Sequence, residues 1–121
     1  MAYVVTRNED LQMIDVRYFD RVTVAERAAA MDETLVILRE SALRRIAIDF
    51  NDARAGSDFF QDTNAFATRV ATNALLRECR IAFVGAATNR FNAVLESLSD
   101  ARGYSFQRFF DRAAAIVWLT R

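Results

Sequence analysis

The chain contains no histidine, no lysine and no proline, and it has one cysteine and three glycines. Each absence removes a class of chemistry. Without histidine there is no Ser-His-Asp or Cys-His nucleophile pair and no imidazole metal ligand. Without lysine there is no Schiff base and no phosphate-loop lysine. Gly56, Gly85 and Gly103 stand too far apart for a glycine-rich dinucleotide loop, and each falls where an element is expected to end. Cys79 stands alone, so an intrachain disulfide and a thiolate zinc site are excluded. It reads as a small apolar side chain in a chain compatible with a reducing cytoplasm. No metal and no cofactor are expected. Nor is a membrane span: no apolar run approaches the roughly 18 residues one needs, and Met1 to Thr6 lacks the basic start and long apolar stretch of a leader.

What remains is a globular composition. Of 121 residues, 53% are hydrophobic and 26% charged, with 10 Phe, which is enough apolar material for one core and one domain over 1–121. The 16 basic residues, all Arg, balance 16 acidic ones, and this zero net charge argues against a nucleic-acid platform.

The order of elements is legible from pattern. Tyr3–Thr6 and Leu11–Phe19 are rich in strand formers around the polar Arg7–Asp10, an expected hairpin. Val24, Ala28, Met31, Leu35, Leu38 and Ala42 recur at helical spacing, with Thr23 and Glu26 placed for a capping box. Arg45–Phe50 is an expected strand, followed by an irregular Asn51–Gly56 and a helix over about 58–76 capped by Ser57. Arg80–Val84 is the next strand, then a helix over about 90–101 capped by Asn89, a strand Tyr104–Phe109, and a closing helix that Asp111 caps and that ends near Trp118 and Leu119. Strands separated by helices are parallel by preference. The expected fold is therefore α/β, a mixed five-stranded sheet with an antiparallel start and about four helices mainly on one face. Ile46, Ile48 and Phe50 share one face while Ala47, Asp49, Met13, Asp15 and Arg17 point the other way, so one face is poorly covered. Such surface predicts self-association into a homodimer, through that face or the aromatic-rich second helix.

Three segments carry a family resemblance. Ile46-Ala-Ile-Asp-Phe50, Ile81-Ala-Phe-Val-Gly85, and Arg108-Phe-Phe-Asp111 through Ala115-Ile-Val-Trp-Leu119 resemble the central strand, the next strand and turn, and the closing strand and helix of the SpoIIAA-like branch of the STAS superfamily. That family includes bacterial anti-sigma-factor antagonists and lies structurally close to lipid-binding Sec14-type domains. The resemblance implies a non-enzymatic regulatory or protein-interaction module, with a carrier of a small apolar or lipid-like ligand as the alternative. It also implies a phosphoacceptor serine in an Asp-Ser-Ser-Gly type turn, and here the chain departs, with Gly56-Ser57-Asp58-Phe59 in that place. Ser57 then reads as a helix cap.

Residues for a partner or ligand are expected at the carboxyl ends of the parallel strands, where helix N-termini face outward. Asp52, Arg54, Ser57 and Asp58 come from one loop and Thr88, Asn89 and Arg90 from another, a set that suits an anion or an acidic side chain of an unidentified protein. Asp49 is expected to point away from Ile48 and Phe50, which breaks up an Asp49, Asp52, Asp58 acid cluster; no catalytic residue is assigned and an enzyme is not expected. Arg44, Arg45, Arg77, Arg80 and Arg102 gather at the opposite end, where helix C-termini need positive partners, and Trp118 is expected to pack on Phe109 or Phe110.

Overall fold

Large and small apolar residues alternate along the two central strands, and this alternation decides which helix lies on which face. The computed structural model describes residues 3–55, 73–85 and 105–121. Strands β1 (Tyr3–Asn8), β2 (Met13–Val22), β3 (Arg45–Ala55), β4 (Arg80–Val84) and β5 (Ser105–Phe109) form one sheet in sequence order. The β1–β2 pair is antiparallel and the other pairs are parallel, the expected mixed five-stranded arrangement. Among the described residues there are three helices, α1 (Val24–Glu40), α2 (Ala74–Arg77) and α3 (Arg112–Thr120). None is long and apolar enough to cross a membrane.

The inner face of the sheet carries the large residues. Tyr3, Tyr18, Phe50, Phe83 and Phe106, one from each strand in order, form a row with ring centroids 6.4, 4.9, 6.4 and 5.4 Å apart. Such a row gives each strand pair a cross-strand aromatic contact. Helix α1 packs over its β1 and β2 end. Its start is the expected capping box: the Thr23 hydroxyl accepts from the Glu26 N–H at 3.1 Å and Glu26 Oε1 accepts from the Thr23 N–H at 3.4 Å. The buried stripe, however, is Arg27, Ala30, Met31, Thr34, Leu35 and Leu38, whereas Val24 and Ala28 are half-buried and Ala42 lies past the helix end, exposed. Two polar residues can be buried in this stripe because each finds a partner. The Arg27 guanidinium lies 5.7 Å over the Phe50 ring and hydrogen-bonds to Tyr18, and the Thr34 hydroxyl donates to the Ala30 carbonyl at 2.8 Å.

On the outer face the central residues are small. Ala47 and Ala82, with Met13 and Val84, form a shallow bed for Ala115 and Leu119 of α3. Asp111 caps this helix as expected, accepting from the Ala114 N–H at 2.8 Å, and Trp118 packs on Phe109 at 5.7 Å while Phe110 stays exposed. Arginines close the helix C-termini, also as expected. Arg44 donates to the carbonyls of Leu38, Ser41 and Leu43, and Arg80 to those of Trp118 and Arg121. Arg45 instead donates to the Leu11 carbonyl, and Arg102 lies outside the described residues.

Two expectations need correction. The segment after Phe50 is strand to Ala55 and not irregular, because β3 contains a bulge. Arg17 pairs with Asp49 but Phe19 with Asp52, so β3 takes three steps where β2 takes two, and the ladder then resumes to Val22 and Ala55. The Asn51 N–H, freed from the ladder, donates to Asp49 Oδ1 at 2.8 Å. The second correction concerns the helix over 58–76. Most of it, and all of 90–101, lies outside the described residues, but Asn73 is extended and its side chain accepts from the Leu75 and Leu76 N–H groups at 3.0 and 3.2 Å. An asparagine that satisfies these donors starts a new turn, α2, so no unbroken helix reaches Leu76.

Gly85 is required where it stands. Its φ is +118°, and a Cβ there would lie 3.1 Å from the Asn51 backbone nitrogen and 3.3 Å from the Phe50 carbonyl carbon. Gly85→Ala is expected to destabilise the domain by about 1–3 kcal/mol, the usual cost of such strain, as read by denaturant unfolding. Leu35, 3% exposed in the middle of the α1 stripe, gives a second check: Leu35→Ala should cost about 2–4 kcal/mol through the cavity it leaves. A loss under about 0.5 kcal/mol, a surface value, would contradict the packing described.

Candidate functional site

Helix α3 lies over β3, β4 and β5, and this leaves the outer face of β1, β2 and the end of β3 open. Alternation puts Val4 and Thr6, then Asp15, Arg17 and Phe19, on that face, and the bulge adds Asn51 and Asp52 beside Asp49. Arg112, the first residue of α3, reaches across from the helix. Together these residues line a groove of ≈ 530 Å³.

Its charges are paired across elements. Arg112 grips Asp15 with both forks, Nη1 to Oδ1 at 2.6 Å and Nη2 to Oδ2 at 3.0 Å. Arg17 Nη2 donates to Asp52 Oδ2 at 2.7 Å. The bond to Asp15, and secondarily the charges of Asp15 and Asp49, hold the Arg112 pKa above its ordinary value against a desolvation that acts the other way. Asp52, then Asp49, raises that of Arg17 similarly. Asp49 thus acts on both arginines while its own Oδ1 pins the bulge. As expected, it points away from Phe50.

Of the residues expected at this end of the sheet, Asp52 and Arg54 are described, and both stand on β3 and not in a loop. Asp52 faces the groove. Arg54 is exposed one step further along, in register with Arg21 of β2. Ser57, Asp58, Thr88, Asn89 and Arg90 lie outside the described residues. Asp15, Arg17, Arg21 and Arg112 were not singled out as site residues from the sequence. The outward phase of Met13, Asp15 and Arg17 was the available signal for β2; nothing local marks Arg112, whose partner is 97 residues away.

A second, smaller space lies beside α1. It measures ≈ 50 Å³ and is lined by Tyr18, Arg27, Thr34, Phe50 and apolar neighbours. Burial pushes the Tyr18 phenol up to about 12 and the Arg27 guanidinium down, and the hydrogen bond between them opposes both shifts. Cys79 is buried too, with its thiol donating to the Leu75 carbonyl at 3.4 Å.

Burial pushes the Cys79 thiol from 9.0 up to about 11. At pH 8 the thiolate should therefore be about a hundredfold scarcer in the folded protein than in the unfolded chain, and labelling by a disulfide reagent should be slowed at least as much, as timed with and without denaturant. The folded value is the higher one, so this group's contribution to stability is present below about 9 and is lost as pH rises through about 11. The Asp15–Arg112 pair makes a separate prediction. In a double-mutant cycle with Asp15→Asn and Arg112→Gln, it should show a coupling of about 1 kcal/mol at low salt that shrinks as salt is added. The more exposed Arg17–Asp52 pair should couple less.

No protein-family model matches the chain, and no curated protein matches it. Among solved structures it is similar to an uncharacterized protein of the DUF3478 family from Shewanella loihica PV-4, whose crystal structure has a SpoIIAA-like fold. The two are 15% identical and superpose with a TM-score of 0.65 over 98% of this chain and 92% of that one. Likeness at that identity speaks for architecture alone. With its antiparallel opening pair, its parallel remainder and its sequential strand order, the chain has the SpoIIAA-like fold that its sequence resembles.

Proposed function

We propose that the domain is a non-enzymatic protein-interaction module of the regulatory kind, and that its partner docks on the open face of β1, β2 and β3. The observation that carries this reading is the groove itself, which is broad, open to solvent, and lined by charges of both signs next to apolar Val4 and Phe19. A surface of mixed sign with apolar contacts suits a folded protein better than a polyanion or a lipid. The carboxylates also favour binding over turnover. Asp15 is gripped by Arg112, Asp52 is held by Arg17, and Asp49 accepts from a backbone N–H, so each already has a partner within the fold. The carrier alternative has less support: ≈ 50 Å³ beside α1 accommodates about one or two waters, against the roughly 300–1,000 Å³ of ordinary ligand pockets.

Charge reversal tests the reading. Arg17→Glu sets a carboxylate opposite Asp49 and should lower the melting temperature modestly, the site being exposed, while leaving the protein folded, and should weaken retention of the partner in quantitative affinity capture by at least tenfold. Arg39→Glu, on the exposed side of α1, should retain it like wild type. Light scattering separates a second copy from a foreign partner: a dimer that Arg17→Glu dissociates is the homodimeric form of the same interface. A partner held equally by all three proteins would place docking elsewhere.

A further inference from the structure

Beside the groove, at the carboxyl ends of β2 and β3, Arg21 and Arg54 are register partners on adjacent parallel strands. Strand spacing brings their backbones within about 5 Å of each other, and both side chains are exposed. Like charges set directly opposite one another weaken a sheet, and an ordinary surface relieves the strain with a carboxylate. Here none does so among the described residues. Asp52, the nearest on β3, is taken by Arg17 at 2.7 Å, and Asp20, which adopts a left-handed φ of 58° beside Arg21, makes no ion pair with either arginine.

We infer that Arg21 and Arg54 form a binding site for a phosphate-class dianion. The match is one of charge and of shape. Two guanidinium groups supply two positive charges and two planar forks, and a phosphate presents two negative charges and several oxygens in a tetrahedral arrangement that two forks can share. A carboxylate, with one charge and two oxygens, is satisfied by one fork, as Asp15 is by Arg112. Arg17 stays out of the site because Asp52 holds it. The location is also the end of a parallel sheet where ligands gather. The inference does not rest on the partner reading above, since a free anion and a docked protein use different residues of the face.

Calorimetric or NMR titration with inorganic phosphate, at ionic strength held constant with sodium chloride, tests the site. Wild-type protein should bind phosphate saturably and at least tenfold more tightly than acetate. Arg21→Gln and Arg54→Gln should each weaken binding at least tenfold, Arg54→Lys should weaken it less because the charge remains without the fork, and Arg39→Gln should bind like wild type. In phosphate-free buffer the Gln variants should melt no lower than wild type, since they remove a repulsion, so a loss of binding is separable from a loss of fold. Phenyl phosphate distinguishes the source of the anion: tighter binding than inorganic phosphate points to an ester on a larger molecule, and equal or weaker binding to free phosphate, with both results upholding the site. Phosphate binding that is absent in wild type, or unchanged when both arginines are replaced, would overturn it.

Discussion

The unequal faces of β3 and β4 are the constraint on which the rest of the molecule depends. Ile46, Ile48, Phe50, Ile81 and Phe83 build one thick apolar face, and Ala47 and Ala82 leave the other thin. A long helix, α1, packs on the β1 and β2 part of that same side and reaches the thick face at its edge, where Arg27 lies over Phe50. The second accepts only a short helix, and it does so because two alanines let α3 approach the sheet closely enough for Ala115 and Leu119 to be fully buried. The same helix cannot extend over β1 and β2. Their outward residues include Asp15 and Arg17, and covering them would strip charges of water without a sufficient return. The open face follows from the strand sequences themselves.

Where α3 stops, one ion pair makes the junction. Arg112 and Asp15 join the first residue of the closing helix to the second strand, so the boundary between covered and open surface is fixed by a bidentate contact and not by packing alone. Asp49 lies between this pair and Arg17–Asp52 in electrostatic terms, acting on both arginines. The groove is therefore one connected charge system built from three strands and a helix. Its pairs are partly exposed, which keeps their contribution to stability small and leaves them able to exchange partners.

Much of this architecture was legible in the sequence, and the reasons differ by element. The capping box at Thr23 and Glu26 and the Asp111 cap are local, and local chemistry decided them. The mixed sheet, antiparallel at its start and parallel after it, followed from the element order and from crossover preference. The α1 stripe has Met31, Leu35 and Leu38 at its centre as expected but differs at its ends, because a burial pattern that omits arginine cannot anticipate that Phe50 and Tyr18 would accept Arg27. The helix expected to reach Leu76 was interrupted by Asn73, whose side chain competes with the helix for its own backbone. The site was the least legible part. Asp52 and Arg54 were expected as candidates from their position at a strand end, whereas Arg17, Arg21 and Arg112 come beside them only through pairing between distant segments.

The bulge in β3 shows how closely fold and site are coupled. Strict alternation from Ile46, Ile48 and Phe50 would carry Asp52 and Arg54 onto the inner face, beneath α1, where an unpaired charge has no water and no partner. The extra residue reverses the phase. Asn51 and Asp52 both turn outward, Ala53 packs against the core, and Arg54 emerges beside Arg21. A loop-like composition, Asn-Asp-Ala-Arg, can then continue as strand to Ala55, because only its alanine has to face inward. The bulge in turn depends on Gly85, the residue against which its backbone is pressed, since any Cβ there would meet Asn51. A glycine that ends β4 thus leaves room for the bulge that turns two charged residues of β3 onto the open face.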